Sequence, residues 1–186
     1  MLRIIAGRFG SRKLTAPQGR DTRPTTDRVK EAVFSILLPY LPEARVLDLF
    51  CGSGALALEA LSRGASRATL VDRDAKAITA ARANIHALGV EDECMLLQRE
   101  WGQALTLLHT QGYQFDIVFL DPPYAKGLYT PAIEALYEED LLAPDALIVA
   151  EHDAEYTLLL NDAFELTDKR RYGDTAVSLI KRKVTS

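Results

Sequence analysis

The chain has 186 residues, 48% of them hydrophobic and 26% charged, and a formal net charge of −4. That length fits one domain with a substantial core, and no apolar run approaches the roughly 18 residues of a membrane span. Two cysteines, Cys51 and Cys94, and three scattered histidines, His86, His109 and His152, are too few for a disulfide framework or a four-ligand metal site. The opening MLRIIAGRFGSRK has no signal-peptide core, because Arg8, Arg12 and Lys13 follow too soon. A cytoplasmic, metal-free monomer is the expectation.

Within the modest total the charge is segregated. Residues 1–30 carry a net +6 and residues 169–183 a net +5, which leaves −15 on the rest. Basic ends on an acidic body suggest an anionic partner that meets one face.

In chain order, Ile4–Ala6 and Lys13–Thr15 read as a small hairpin around a Gly-containing turn. Pro24 and the Thr25–Thr26–Asp27 cluster start a helix, whose apolar positions Val29, Ala32, Val33, Ile36 and Leu37 recur at helical spacing. Pro39 and Pro42 end it. From Arg45 strands and helices alternate: RVLDLF, then ALALEALSRG closed by Gly64, RATLVD, AKAITAARANIHALG closed by Gly89, CMLLQ, QALTLLHTQG, FDIVFL, a helix from Pro131 to Tyr137, and ALIVAE. Continuously apolar strands between amphipathic helices predict a parallel sheet covered on both faces. FELTDKRRY and TAVSLIKRK flank the two-residue turn Gly173–Asp174 and predict an antiparallel hairpin that closes the sheet. The whole is α/β: a doubly wound, Rossmann-like, mostly parallel sheet with a C-terminal antiparallel hairpin and a small N-terminal hairpin and helix. This order is similar to the class I S-adenosylmethionine-dependent methyltransferases. One domain is expected, residues 1–26 forming a basic hairpin and arm and residues 27–183 the catalytic core.

LDLFCGSGALAL places Asp48, Phe50, Gly52 and Gly54 between the first strand of this series and its helix. In open parallel sheets ligands bind where strand ends meet helix starts, and glycines let the backbone approach them. Gly52 to Ala57 also fits the loose pattern G-x-G-x-x-G/A, so the loop alone leaves a nicotinamide enzyme and a methyltransferase both open. Asp72, at the end of the second strand and twenty residues past Gly52, is placed to accept from both hydroxyls of a ribose, with Arg73 beside it and Asp74 an ordinary loop acid. After the third strand, Glu100 and Trp101 lie where an adenine ring rests.

FDIVFLDPPYAKGL ends an apolar strand on Asp121, Pro122, Pro123 and Tyr124. The two prolines remove donors and restrict the backbone. That leaves the Pro122 carbonyl and the Asp121 carboxylate to accept from one amino group, and the Tyr124 ring to stack on a base. Such a grip orients a weakly nucleophilic amine toward an electrophile.

DPPY here resembles the motif of enzymes that methylate exocyclic amino groups of adenine or guanine. RIIAGRFGSRKL, TRPTTDRVKEAVFSIL, VLDLFCGSGALALEALSRGA, DIVFLDPPYAKGLY and YGDTAVSLI together resemble the RsmD family, bacterial 16S ribosomal RNA guanine-N2 methyltransferases, from Arg3 to about Lys183. The resemblance implies S-adenosylmethionine as cofactor, with Asp48, Gly52 and Gly54 on its methionine side and Asp72 on its ribose. It implies Asp121 to Tyr124 as the guanine site, and 16S ribosomal RNA within an assembling small subunit as substrate. The basic N-terminal segment then binds RNA; Arg8, Arg12, Lys13, Arg20, Arg23 and Arg28 are its candidates, with Arg170, Arg171 and Lys181 behind them and Lys126 left open. Where family members often carry a Gly-Asp-Ala-like stretch, this chain has Arg99–Glu100–Trp101, a carboxylate one methylene longer. An adenine-N6 methyltransferase and a non-catalytic cofactor-binding assembly factor are the alternatives to guanine methylation.

Overall fold

The computed structural model describes residues 1–19, 26–123 and 127–184. Seven strands, β1 (Arg45–Asp48), β2 (Arg67–Asp72), β3 (Cys94–Gln98), β4 (Phe115–Leu120), β5 (Leu142–Asp153), β6 (Phe164–Tyr172) and β7 (Thr175–Arg182), form one sheet in the order β3-β2-β1-β4-β5-β7-β6. The first five are parallel, and β7 runs antiparallel between β5 and β6. The predicted architecture is the observed one.

Side-chain alternation explains why the strands read as unbroken apolar runs. Val46, Ile117, Phe119 and Val149 pack with Phe34, Leu58 and Ile85, which belong to α1 (Asp27–Leu37), α2 (Ala55–Ser62) and α3 (Ala75–Leu88). Their neighbours Leu47, Val118, Leu120 and Ile148 pack with Leu105, Leu108, Ile133 and Leu136 of α4 (Trp101–Thr110) and α5 (Tyr129–Glu138). Each central strand therefore buries both its faces. The helix ends are capped as their sequences suggest: the Thr26 hydroxyl accepts from the Val29 N–H, the Asp74 carboxylate from the Lys76 N–H, and Gly89 closes α3 at φ +69°.

Three elements start elsewhere than the sequence reading places them. α4 begins at Trp101 rather than Gln103, because the Glu100 carboxylate caps it, accepting from the N–H groups of Gly102 and Gln103. α5 begins at Tyr129, with Pro131 in its first turn, where a missing N–H costs nothing. β5 starts at Leu142 rather than Ala146, since Phe115 already pairs with Leu142 before a bulge resets the register.

The N-terminal hairpin forms, but shorter and shifted from its expected place. The Ile4 N–H donates to the Arg12 carbonyl and the Leu14 N–H to the Leu2 carbonyl, each at 2.9 Å, around an antiparallel bridge between Arg3 and Lys13. The reason lies in α2. The Glu59 carboxylate accepts from the N–H groups of Ile5 (2.8 Å) and Ala6 (3.1 Å), turning them away from any partner strand. Ser62 adds to the dock, its hydroxyl donating to the Ala6 carbonyl at 2.6 Å and accepting from the Phe9 N–H at 3.0 Å. Gly7 is required twice over, by φ +85° and because a Cβ there would lie 1.9 Å from the Ser62 carbonyl oxygen.

Beneath this arm lies a buried ionic cluster. Glu59 is fully buried, accepts from Arg63 Nε at 2.8 Å, and stands 3.6 Å from Lys30 Nζ. Lys30, only 2% exposed, also donates to the Arg3 carbonyl. Burial lowers the Lys30 pKa, opposed by the nearby charges of Glu59 and Asp27. The expected helix thus carries a lysine inside the core, fastened to the arm.

Candidate active site

The C-terminal ends of four adjacent strands each present a carboxylate: Asp48 at β1, Asp72 at β2, Asp121 just past β4 and Glu151 near the end of β5. Between Asp48 and α2 runs the glycine loop, and the next strand organises it. Asp72 Oδ2 accepts from the Gly52 N–H at 3.0 Å, while Oδ1 accepts from the Asp74 N–H at 2.9 Å. A carboxylate has about four lone-pair sites, so each oxygen keeps capacity for a ribose hydroxyl.

The two loop glycines have different tasks. Both have left-handed backbones, Gly52 at φ +54° and Gly54 at φ +82°. A Cβ on Gly54 would press on Leu70 at 2.8 Å, whereas one on Gly52 would meet nothing within 4 Å. Gly54 therefore serves packing, and Gly52 leaves open space against bare backbone, a cradle suited to S-adenosylmethionine. The residues expected to hold that group fit it.

Asp48 is 2% exposed, and its Oδ2 accepts from the Ala57 N–H at 3.4 Å. Burial pushes its carboxyl up to about 7, with the Ala57 N–H opposing and the Asp72 charge adding to the rise. Asp121 lies open to the cleft while Pro122 beside it is buried. Its carboxyl is pushed well above the usual range by the protein packed around it, then by the charges of Glu151 and Asp48. For a residue so open to water, the neighbouring charges are the durable part of that shift.

The register accounts for the closeness of Asp121 and Glu151. Leu120 pairs with Ala150 across β4 and β5, so the residues that follow them turn toward the same face as Phe119 and Val149, the face covered by α1 and α2. A small depression opens on that face, walled by Val33, Phe119, Val149 and Val177, with Lys30 and Glu151 the charged residues of its lining. Below it the buried Tyr129 hydroxyl donates to the Glu151 carbonyl and steadies the tip of β5.

Phe50 and Trp101 are half-buried against the α4 and α5 core, and Arg73 is exposed beside Asp72. Glu100 Oε2 is engaged in capping α4, at 2.9 Å from the Gly102 N–H and 3.2 Å from that of Gln103. Tyr124, Lys126, Arg20 and Arg23 lie outside the described residues.

The cations of the arm divide into two groups. Arg8 pairs with Glu93, and Arg12 donates to the Ala87 carbonyl at 2.7 Å, so both tie the arm to the end of α3 and the segment after it. Lys13 and Arg28 are exposed and have no side-chain partner among the described residues. At the other end of the chain Arg170 pairs with Asp168, Arg171 with Glu155, and Lys181 lies over the Tyr40 ring. Among the described residues no group of three or more His, Cys, Asp or Glu side chains could hold a metal ion, and no helix is long and apolar enough to cross a membrane.

Glu151, Glu59, Lys30, Asn84 and Tyr129 were not singled out by sequence reasoning. Glu59 and Lys30 left a signal, each being a charge amid the apolar positions of its helix. Asn84 and the pairing partner of Asp121 left none, since nothing in the sequence gives register.

The family model described as "Conserved hypothetical protein 95" matches residues 2–181. The chain is 37% identical to Ribosomal RNA small subunit methyltransferase D of Escherichia coli, over 98% of this chain and 90% of that one. It is 39% identical to the Bacillus subtilis protein YlbH, over 98% and 100% of the two chains. The solved structure of the Escherichia coli protein yhhF superposes with a TM-score of 0.86 at 34% identity, covering 99% of each chain.

Proposed function

The chain belongs to the RsmD family, and from that premise we propose that it methylates the exocyclic N2 of a guanine in small-subunit ribosomal RNA, with S-adenosylmethionine as donor. The family carries the coarse reading, methyl transfer to ribosomal RNA; the site supports an exocyclic amino group as acceptor, and the choice of guanine follows the resemblance of the sequence motifs. S-adenosylmethionine supplies an electrophilic methyl group. Asp48 and Gly52 hold its methionine portion, with Gly54 keeping the loop packed on Leu70 so that it lies against that portion. Asp72 holds its ribose through the capacity left on both oxygens, and Phe50, Arg73, Glu100 and Trp101 surround its adenine end.

The observation that carries the proposal is Asp121, an open carboxyl at the tip of β4, beside the glycine loop and crowded by two other acids. It and the Pro122 carbonyl accept the two hydrogens of the target amine, and Tyr124 stacks on the base, which is unpaired or flipped out to reach the cleft. Held so, the amine presents its lone pair to the donor methyl. The new carbon–nitrogen bond forms as the methyl–sulfur bond breaks, with S-adenosylhomocysteine as the leaving group, and the amine sheds one proton. A carboxyl whose proton affinity is raised by neighbouring charge takes that proton readily. Lys13, Arg20, Arg23 and Arg28 contact phosphates, while Arg8 and Arg12 hold the arm against the body of the protein. The substrate is the RNA of an assembling small subunit.

The test is transfer of tritiated methyl from S-adenosylmethionine to small-subunit particles from an Escherichia coli strain that lacks its own relative of this protein, followed by digestion of their RNA to nucleosides. Label in N2-methylguanosine is expected; label in N6-methyladenosine, or none, overturns the proposal. Asp121→Ala should lower the rate by about 100-fold or more while cofactor affinity stays near wild type. Wild-type turnover by that variant removes Asp121 from the mechanism.

A further inference from the structure

We infer that Asn84 is a positioning residue that ties the seating of the N-terminal arm to the shape of the glycine loop, so that RNA and the methyl donor bind cooperatively. The inference rests on the function proposed above.

Asn84 sits on α3 and is 2% exposed. Its Oδ1 accepts from the Thr15 N–H at 2.7 Å, and its Nδ2 donates to the Thr15 carbonyl and to the Ser53 carbonyl, each at 2.9 Å. One amide thus grips both backbone groups of an arm residue and, with its remaining proton, the residue between the two loop glycines. An amide nitrogen has two protons, and both are used. Ser53 is itself 9% exposed, so its carbonyl has little water to turn to.

The three partners lie in segments 69 and 31 residues from Asn84 in the chain. A structural asparagine that merely satisfied itself could do so on one segment. Here the two are joined through one planar group, and neither can shift without turning the amide plane under the other. Leaving a buried carbonyl without a donor is costly, so the arm and the loop each favour the other's seated position. Thr15 lies two residues after Lys13, one of the two arm cations with no partner in the described chain, and leads into the stretch that carries Arg20 and Arg23. RNA that holds this arm down holds Ser53 in place beside Gly52.

The experiment measures S-adenosylhomocysteine affinity by equilibrium dialysis of the tritiated compound, with and without saturating 16S ribosomal RNA. The RNA comes from an Escherichia coli strain that lacks its own relative of this protein. For wild type, RNA should tighten S-adenosylhomocysteine binding about fivefold or more. In Asn84→Ala, which breaks all three bonds, and Asn84→Asp, which keeps the acceptor and removes both donors, the ratio should fall to about one. The wild-type ratio needs no variant and tests the linkage by itself. A ratio of one in wild type, or an unchanged ratio in the two variants, overturns the inference. If wild type binds S-adenosylhomocysteine and shows the ratio but leaves guanosine in that RNA unlabelled, the proposed function fails and the linkage stands.

Discussion

Asp48→Asn separates the electrostatic burden of the site from its other contributions to stability. In the fold the Asp48 carboxyl titrates at about 7, against an ordinary value of 3.8. As pH rises through about 4, an unfolded chain releases this proton while the folded chain keeps it. Stability is therefore lost from about pH 4 up to about pH 7, and no more is lost beyond. At 1.36 kcal/mol per pK, the full loss above pH 7 is about 4 kcal/mol, an upper figure because it comes from burial of one group. Asparagine retains an oxygen to accept from the Ala57 N–H and has nothing to titrate. Urea unfolding of both proteins, at steps from pH 4 to pH 8, isolates the effect apart from the smaller push that the Asp48 charge exerts on Asp121 and Cys51. The variant should gain on wild type steadily up to pH 7, ending about 4 kcal/mol ahead. A gap that changes by less than about 1.4 kcal/mol over that range would refute the account of Asp48 as a carboxyl strained by burial.

Glu59→Ala should destabilise the protein by about 3–5 kcal/mol, because Lys30 and Arg63 lose a buried counter-charge. Adding Lys30→Met should recover part of that loss in the same urea titration; a double variant no better than the single one contradicts the cluster. For RNA, Lys13→Ala and Arg28→Ala should each reduce the log–log salt slope of affinity by about 0.7. Arg12→Ala should instead lower the thermal midpoint, since that guanidinium is engaged with the Ala87 carbonyl. Equal slopes for wild type and the Lys13 and Arg28 variants count against phosphate contacts at those positions.

The core architecture was legible because its signals are local. Apolar runs of strand length, glycines at helix ends and the Gly173–Asp174 turn each act over a few residues, and every strand from β1 to β7 overlaps the run that announces it. The acids at the strand tips were legible for the same reason: Asp48, Asp72 and Asp121 each end an apolar run. What depends on pairing was not. The N-terminal hairpin was legible but its extent was not, because the donors of Ile5 and Ala6 answer to Glu59, a residue more than fifty positions away. Glu151 reads as the tail of one strand until the register sets it beside Asp121. Glu100, read as a group for adenine, is also a helix cap, a duty visible in its place before Trp101 once the helix start is known.

The docking of the arm also bears on how the protein is made. The first nineteen residues leave the translating ribosome before anything they rest on exists. Ser62, whose backbone Gly7 must clear, comes some fifty positions later, and Asn84 later still. Contacts of such sequence separation form late and slowly. A cationic tail is thus held unsettled through half of synthesis. It acquires its working shape only when β1, β2 and α3 have assembled beneath it.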